Sequence, residues 1–386
     1  MTRALPVIAT GLHSVGVTFP QLLALLSLTA HEFGQFSLLY LVYAFGSSCM
    51  MSIVCEPWAR SRDSTEAAHL PRVSATVALP FALLALPVGM LTGLHVDSVA
   101  CGALTVLVST AWVANRYSHA AQSRWRLLIA AESTALVSAL LLFAMASLLG
   151  AGRVTALLLA WSAYSLTAIT MTRSLALPSL RALRSWIRDR YPAIRLLLAD
   201  SLLLDAGSIG TPFILFPFLG SAAFGRYRAI SNIAFPVRLI FGAVRPMLGR
   251  IDAARAASVG AQLALTSAGL VLGVCAGLAV VLIHAYAPDL GVIPSLRPYA
   301  LHVAVFIVAT TSSTLNYYFC RLHATGAQLL TGRTVQTIIM IAAPLVGFWS
   351  GGESGAITGF TAGAVALAVL WLVVFERTAR QAPAAA

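Results

Sequence analysis

Charge is what this chain has least of. Only 10% of its 386 residues are charged, and 59% belong to the hydrophobic set. Soluble domains carry about 25% charged residues, so a chain this poor in charge could not cover a water-facing surface. Disorder is excluded from the same side, because disordered segments are polar. Lysine is absent: all 25 basic residues are arginine, against 13 acidic residues, for a formal net charge of +12. The five cysteines (Cys49, Cys55, Cys101, Cys275 and Cys320) lie in or beside apolar runs, without CxxC or Cys/His spacing. Neither a disulfide framework nor a zinc site is indicated. There is no DxD, HExxH, GxSxG or GxxxxGK[ST], so no nucleotide, metal-hydrolase or nucleophile-elbow signature points to a cofactor.

Long apolar runs are what the chain does have. They are continuous rather than alternating, which excludes a transmembrane barrel. Crossing the hydrocarbon core takes roughly 20 apolar residues. Twelve candidate spans result, at roughly 6–29, 35–56, 74–93, 96–115, 127–149, 153–172, 196–219, 222–248, 260–286, 298–320, 329–349 and 354–375. The first follows Arg3 and imitates a secretory signal, but it is too long and contains His13 and Pro20. It reads as a membrane span. If the N-terminus is cytoplasmic, 20 of the 25 arginines fall in inside segments and four in outside segments (Arg153, Arg226, Arg228 and Arg297). The positive-inside rule then places both termini in the cytoplasm. It also turns the basic excess into an orientation signal, and nucleic-acid binding falls away because the arginines form no continuous soluble face.

The longest central polar segment, RALRSWIRDRYPAIR, divides six spans from six. Residues 1–176 form a first six-helix bundle, 177–195 a basic cytoplasmic linker and 196–386 a second bundle. The linker reads equally well as a short interfacial helix or as a plain connection. The halves also repeat. EFGQFSLLYLVYAFGSSCMMSIVCEPWAR follows span 1, and AFGRYRAISNIAFPVRLIFGAVRPMLGR follows span 7. Phe33-Gly34 matches Phe224-Gly225, each followed by x-aromatic (Phe36, Tyr227). Pro57 and Pro246 end the two spans, with Arg60 and Arg250 just beyond. Six spans per half gives both halves one topology, related by an axis along the membrane normal, with a central cavity and alternating access.

At these residues the chain resembles the flippase branch of the multidrug/oligosaccharidyl-lipid/polysaccharide exporter superfamily. The resemblance implies an all-α bacterial inner-membrane protein, not an enzyme. Its cargo would be a polyprenyl-pyrophosphate-linked saccharide, moved to the outer leaflet during surface polysaccharide assembly. Membrane lipids, a glycan polymerase and glycosyltransferases are the implied partners. The chain is shorter than that branch's usual plan. A cation-coupled drug antiporter of the same superfamily is the alternative. The resemblance implies that such proteins often carry an acid in the first span, where this chain has only His13. A glycan-assembling membrane enzyme, a ligase or glycosyltransferase, would need a large polar loop or a carboxylate cluster. A major-facilitator transporter would need a Gly- and Asp-containing basic motif between spans 2 and 3, where this chain has EPWARSRDSTEAAHLPR.

Charges inside spans are costly and usually face a cavity or a partner. Asp205 and Arg238 sit at matching depths in spans 7 and 8, roughly 15 Å from the cytoplasmic end at ~1.5 Å per residue. They form either a static neutral pair or a pair that releases Arg238 to a diphosphate. Arg245, two turns on, and Arg60 would form the cytoplasmic mouth, and Arg226 and Arg228 the outer exit; the alternative is ordinary loop charge. Asp200 lies near Arg195, and Glu132 in span 5 shows no evident partner. His13 and His302 are either packing residues or proton-coupling groups. Tyr40, Tyr43, Tyr317 and Tyr318 either pack or line a sugar path.

Overall fold

The computed structural model describes residues 5–61, 69–234, 237 and 256–381, and every long element in it is helical. The helices are α1 (Leu5–Ser27), α2 (Ala30–Met50), α3 (Leu70–Leu91), α4 (Val96–Ala121), α5 (Trp125–Leu148) and α6 (Arg153–Met171). They continue with α7 (Leu180–Asp205), α8 (Thr211–Ile233), α9 (Val259–Tyr286), α10 (Ala300–His323) and α11 (Gly326–Gln381). A π turn (Met51–Cys55) carries α2 on into Glu56–Ser61, and another (Ala206–Gly210) joins α7 to α8. Among the described residues, ten helices are long and apolar enough to cross a membrane. Two of these run well beyond one membrane thickness: Leu180–Ile233 and Gly326–Arg380.

Glycine breaks both long runs. Gly220 has φ 70° within α8 and Gly352 has φ 57° within α11. Both values lie in the left-handed region that side chains with a Cβ resist. After Gly352, α11 folds back on itself. A Cβ on Gly347 would lie 2.1 Å from the carbonyl oxygen of Gly355, and one on Gly359 would lie 2.1 Å from that of Ala343. Only small residues allow backbones to approach so closely.

The chain divides into two compact units, one running through Asp205 without Thr29–Gly34, the other holding Thr29–Gly34 and everything from Ala206 on. In the first unit small residues face inward. Ala131, Ala135 and Ala139 on α5 are fully buried at i, i+4 and i+8, while Leu140 and Leu141 are 52% and 66% exposed. This division suits lipid, where burying leucine against protein gains little over leaving it in hydrocarbon. Hydroxyls within the helices are satisfied locally. Thr10, Ser14 and Thr18 on α1 each donate to the carbonyl four residues back.

The segment read as either an interfacial helix or a plain connection is helical from Leu180, and it runs unbroken into the seventh span. Pro192 removes one intrahelical bond without ending the helix. The indole Nε1 of Trp186 donates to the Ile53 carbonyl at 2.8 Å and fastens this helix to the π turn after α2.

In the second unit, Thr29 and Glu32 form a capping box at the start of α2. The Thr29 amide donates to the Glu32 carboxylate at 2.9 Å, and the Glu32 amide donates to Thr29 Oγ1 at 3.3 Å. One turn later α2 lies against α8 at the repeated FG dipeptides. A Cβ on Gly34 would fall 1.9 Å from the Ser221 carbonyl oxygen, and one on Gly225 would fall 1.8 Å from that of Ala30. The two copies of the motif thus meet each other, backbone to backbone.

Candidate functional site

The most deeply buried acid among the described residues is Glu132, with no solvent exposure. It lies two turns into α5 and faces α1 and α4. Its Oε1 accepts from Arg116 Nε of α4 at 2.8 Å and lies 3.2 Å from His13 Nδ1 of α1. Arg116 also reaches the carbonyl oxygen of Ala9 on α1 at 3.4 Å. The other carboxylate oxygen, Glu132 Oε2, is buried and has no hydrogen-bond partner within the described residues. Tyr164 of α6 closes the cluster from a fourth side. Its hydroxyl rests against Gly16, where a Cβ would come within 2.1 Å of it.

The chemistry follows from this inventory. One carboxylate is shared by a guanidinium, which is a permanent cation, and an imidazole, which can be neutral or charged. A proton added to Glu132 or to His13 changes the charge of a buried site by one and alters the attraction joining α1, α4 and α5.

Sequence reasoning found Glu132 and His13 singly and missed what joins them. Read from its apolar run, the fourth span ends at residue 115, which leaves Arg116 among the loop arginines. The helix continues to Ala121. A usable signal was present: α4 and α5 are antiparallel neighbours around a turn at Arg124, and Arg116 and Glu132 stand equally far from it on either side. The lack of an evident partner for Glu132 is thereby corrected.

The other expected residues are distributed as follows. Asp205 is buried at the end of α7, where its carboxylate accepts a hydrogen bond from Ser48 of the first unit. Its expected partner Arg238 lies outside the described residues, as does Arg245. Arg60 belongs to the short helix after the π turn, and its side chain is likewise outside the description. Asp200 is exposed on α7. Arg228 is half-buried on α8, where its carbonyl accepts from Ser231 Oγ.

Arg226 is bound in a fork to Glu353, Nε to Oε1 and a terminal nitrogen to Oε2, both at 2.5 Å. Glu353 directly follows the Gly352 kink, so the bend in α11 delivers it to α8. Tyr299 hydrogen-bonds to the same carboxylate. Arg226, expected to stand at an exit, is therefore already neutralised by a bidentate acid. Removing that acid with Glu353→Ala should cost about 1–2 kcal/mol, since the pair is partly buried and partly screened. A double-mutant cycle with Arg226→Gln, read by thermal unfolding in detergent, should return a coupling energy of about 1 kcal/mol. Additive effects would show that the fork contributes nothing.

The aromatic residues pack. Tyr40 and Tyr43 lie 5.6 Å and 4.8 Å from the Trp161 ring. Tyr317 lies 4.8 Å from Trp371, with the Arg333 guanidinium 4.5 Å over its ring. His302 bonds to Thr358 at 3.1 Å. No group of three His, Cys, Asp or Glu side chains among the described residues could hold a metal.

The helical order and the inward-facing charges can be compared with solved structures. An inward-facing multidrug resistance MATE family transporter of the MOP superfamily is similar over 99% of this chain and 96% of its own, with TM-score 0.57 and 13% identity. The chain has the MATE transporter fold. The eukaryotic MATE transporter AtDTX14 matches over the same shares of the two chains with TM-score 0.54, and the MATE transporter ClbM in complex with Rb+ with TM-score 0.53, each at 13% identity. No protein-family model and no curated sequence matches the chain. Within the first unit, the fully buried carboxylate of Glu132 comes from α5 and meets His13 on the first helix.

Proposed function

We propose that this chain is a cation-coupled exporter of small organic molecules that works by alternating access, with Glu132, His13 and Arg116 as its proton-responsive element. One observation carries the reading: a fully buried carboxylate with one unpartnered oxygen stands against the first helix, at His13. Where the superfamily's drug antiporters often place an acid on that helix, this chain brings one to it from α5. The full-length likeness to multidrug transporters supports the same class. We take the two long folded helices as two crossings each, which makes twelve, with both ends on the arginine-rich face.

The flippase reading rests on the repeated FG motif; of the cationic cavity expected with it, Arg60, Arg228, Arg238 and Arg245 remain as support, while Arg226 is held by Glu353. The test is reconstitution of the purified chain into liposomes with an imposed pH gradient. Ethidium should accumulate against its own gradient, and collapse of the pH difference should stop it. Failure to move ethidium, together with lipid-linked sugar building up on the cytoplasmic face of cells lacking the gene, would transfer the assignment to the flippase.

A further inference from the structure

A second site lies away from the buried cluster, at the polar end of the first unit. The start of α3 and the first turns of α7 enclose a cavity of about 290 Å³ lined by His69, Arg72, Ser179, Arg181, Trp186 and Arg190, among others. Its walls are fixed. The Ser179 amide donates to Thr76 Oγ1 at 2.7 Å, which ties the loop before α7 to α3. Trp186 forms the buried floor and is anchored through Ile53. The Arg190 guanidinium carbon lies 3.9 Å over the Trp186 ring, which restricts its rotamers. Asp189, the acid in the lining, accepts hydrogen bonds from Arg188 at 3.1 Å and from Ser185 at 3.2 Å, so its two oxygens are both engaged.

We propose that this pocket binds the phosphate of an anionic membrane lipid. Three arginines and a histidine converge on it, and arginine forks match phosphate oxygens. A lipid is favoured over a free anion by what surrounds the pocket. Leu175, Leu177 and Leu180 beside it are 72%, 85% and 79% exposed, an apolar rim that fits the boundary between headgroups and acyl chains. The segment also carries the densest run of arginine in the chain, and basic pockets on the cytoplasmic side of membrane proteins attract acidic headgroups. The inference needs only that the chain sits in a membrane; it does not depend on the transported solute.

Native mass spectrometry of the detergent-purified full chain, titrated with phosphatidylglycerol or phosphatidylcholine, tests it. Arg72→Gln/Arg181→Gln/Arg190→Gln should weaken phosphatidylglycerol binding roughly tenfold or more and leave phosphatidylcholine unchanged. Arg184→Gln/Arg195→Gln/Arg377→Gln removes the same charge elsewhere and should change neither lipid. Equal losses in both triples, or none in the first, overturn the site. Displacement of phosphatidylglycerol by millimolar inorganic phosphate would make the occupant a free anion and overturn the lipid assignment. Should the pocket triple be poorly folded, Arg72→Gln alone, at an exposed position, must still weaken phosphatidylglycerol about threefold; unchanged binding there overturns the proposal too.

Discussion

Glu132→Gln should bring pH-driven ethidium transport down to the leak of protein-free liposomes, with the protein still folded and in the membrane. The amide keeps the size of the acid and can still accept from Arg116, but it cannot exchange a proton. The stability loss should stay at about 1–3 kcal/mol, the cost of weakening a charge-assisted bond at a buried site. Glu132→Ala differs: it leaves Arg116 buried without its counter-ion and should cost about 3–5 kcal/mol. Arg116→Gln combined with Glu132→Gln separates the roles. The double variant removes both charges, so stability should recover toward that of the parent, while transport stays absent. Full ethidium transport by Glu132→Gln would remove the carboxylate from the mechanism. His13→Asn provides an intermediate case. It should leave Glu132 and Arg116 paired and shift the pH at which transport is half-maximal.

The second large effect concerns the paired FG motif. Gly34→Ala and Gly225→Ala each place a methyl group inside van der Waals contact with a backbone carbonyl, 1.9 Å from Ser221 and 1.8 Å from Ala30. Overpacking typically costs about 1–3 kcal/mol when side chains can yield. Here the obstacle is main chain on both sides, so the cost should reach or exceed the top of that range. The readout is the yield of monodisperse protein after mild heating in detergent. Gly11→Ala and Gly260→Ala, where a Cβ meets nothing within 4 Å, serve as controls. They should be neutral or stabilising by up to about 1 kcal/mol, because alanine is the better helix former. The double variant Gly34→Ala/Gly225→Ala should cost less than the sum of the singles, since one separation of the two helices relieves both clashes. Normal yield from the singles would contradict the close approach.

Much of the architecture was legible in the apolar runs, because membrane helices announce themselves by length and composition alone. The repeat was legible too, as Phe33-Gly34 and Phe224-Gly225 at matched places. That the two copies touch was not, because sequence similarity records equivalence and carries no information on contact. Charges were harder. Glu132 and His13 stand out because they lie inside apolar runs, but Arg116 does not, because the apolar run before it ends at residue 115. Arg226 showed the reverse difficulty. Its expected place in an outside segment marks it as exceptional, yet its partner Glu353 lies 127 residues on and is delivered by a kink that only the backbone reveals. The linker was undecidable from composition, since an arginine-rich, leucine-containing stretch suits a solvated connection as well as a helix. The backbone is helical from Leu180, and Trp186 ties it to Ile53.

Small residues hold these helices together: alanines along α5, glycines between α2 and α8, and glycines again across the fold-back of α11. The instructions for assembly are therefore written in the positions where side chains are missing. Many large apolar side chains away from these seams face outward, as Leu140 and Leu141 do on α5. At such exposed positions leucine, isoleucine, valine and phenylalanine can replace one another without moving a helix. A shared architecture at 13% identity is what such a division of labour produces. By the same reasoning, a comparison weighted toward the spacing of glycine and alanine should recover kinship among proteins of this fold where overall identity cannot.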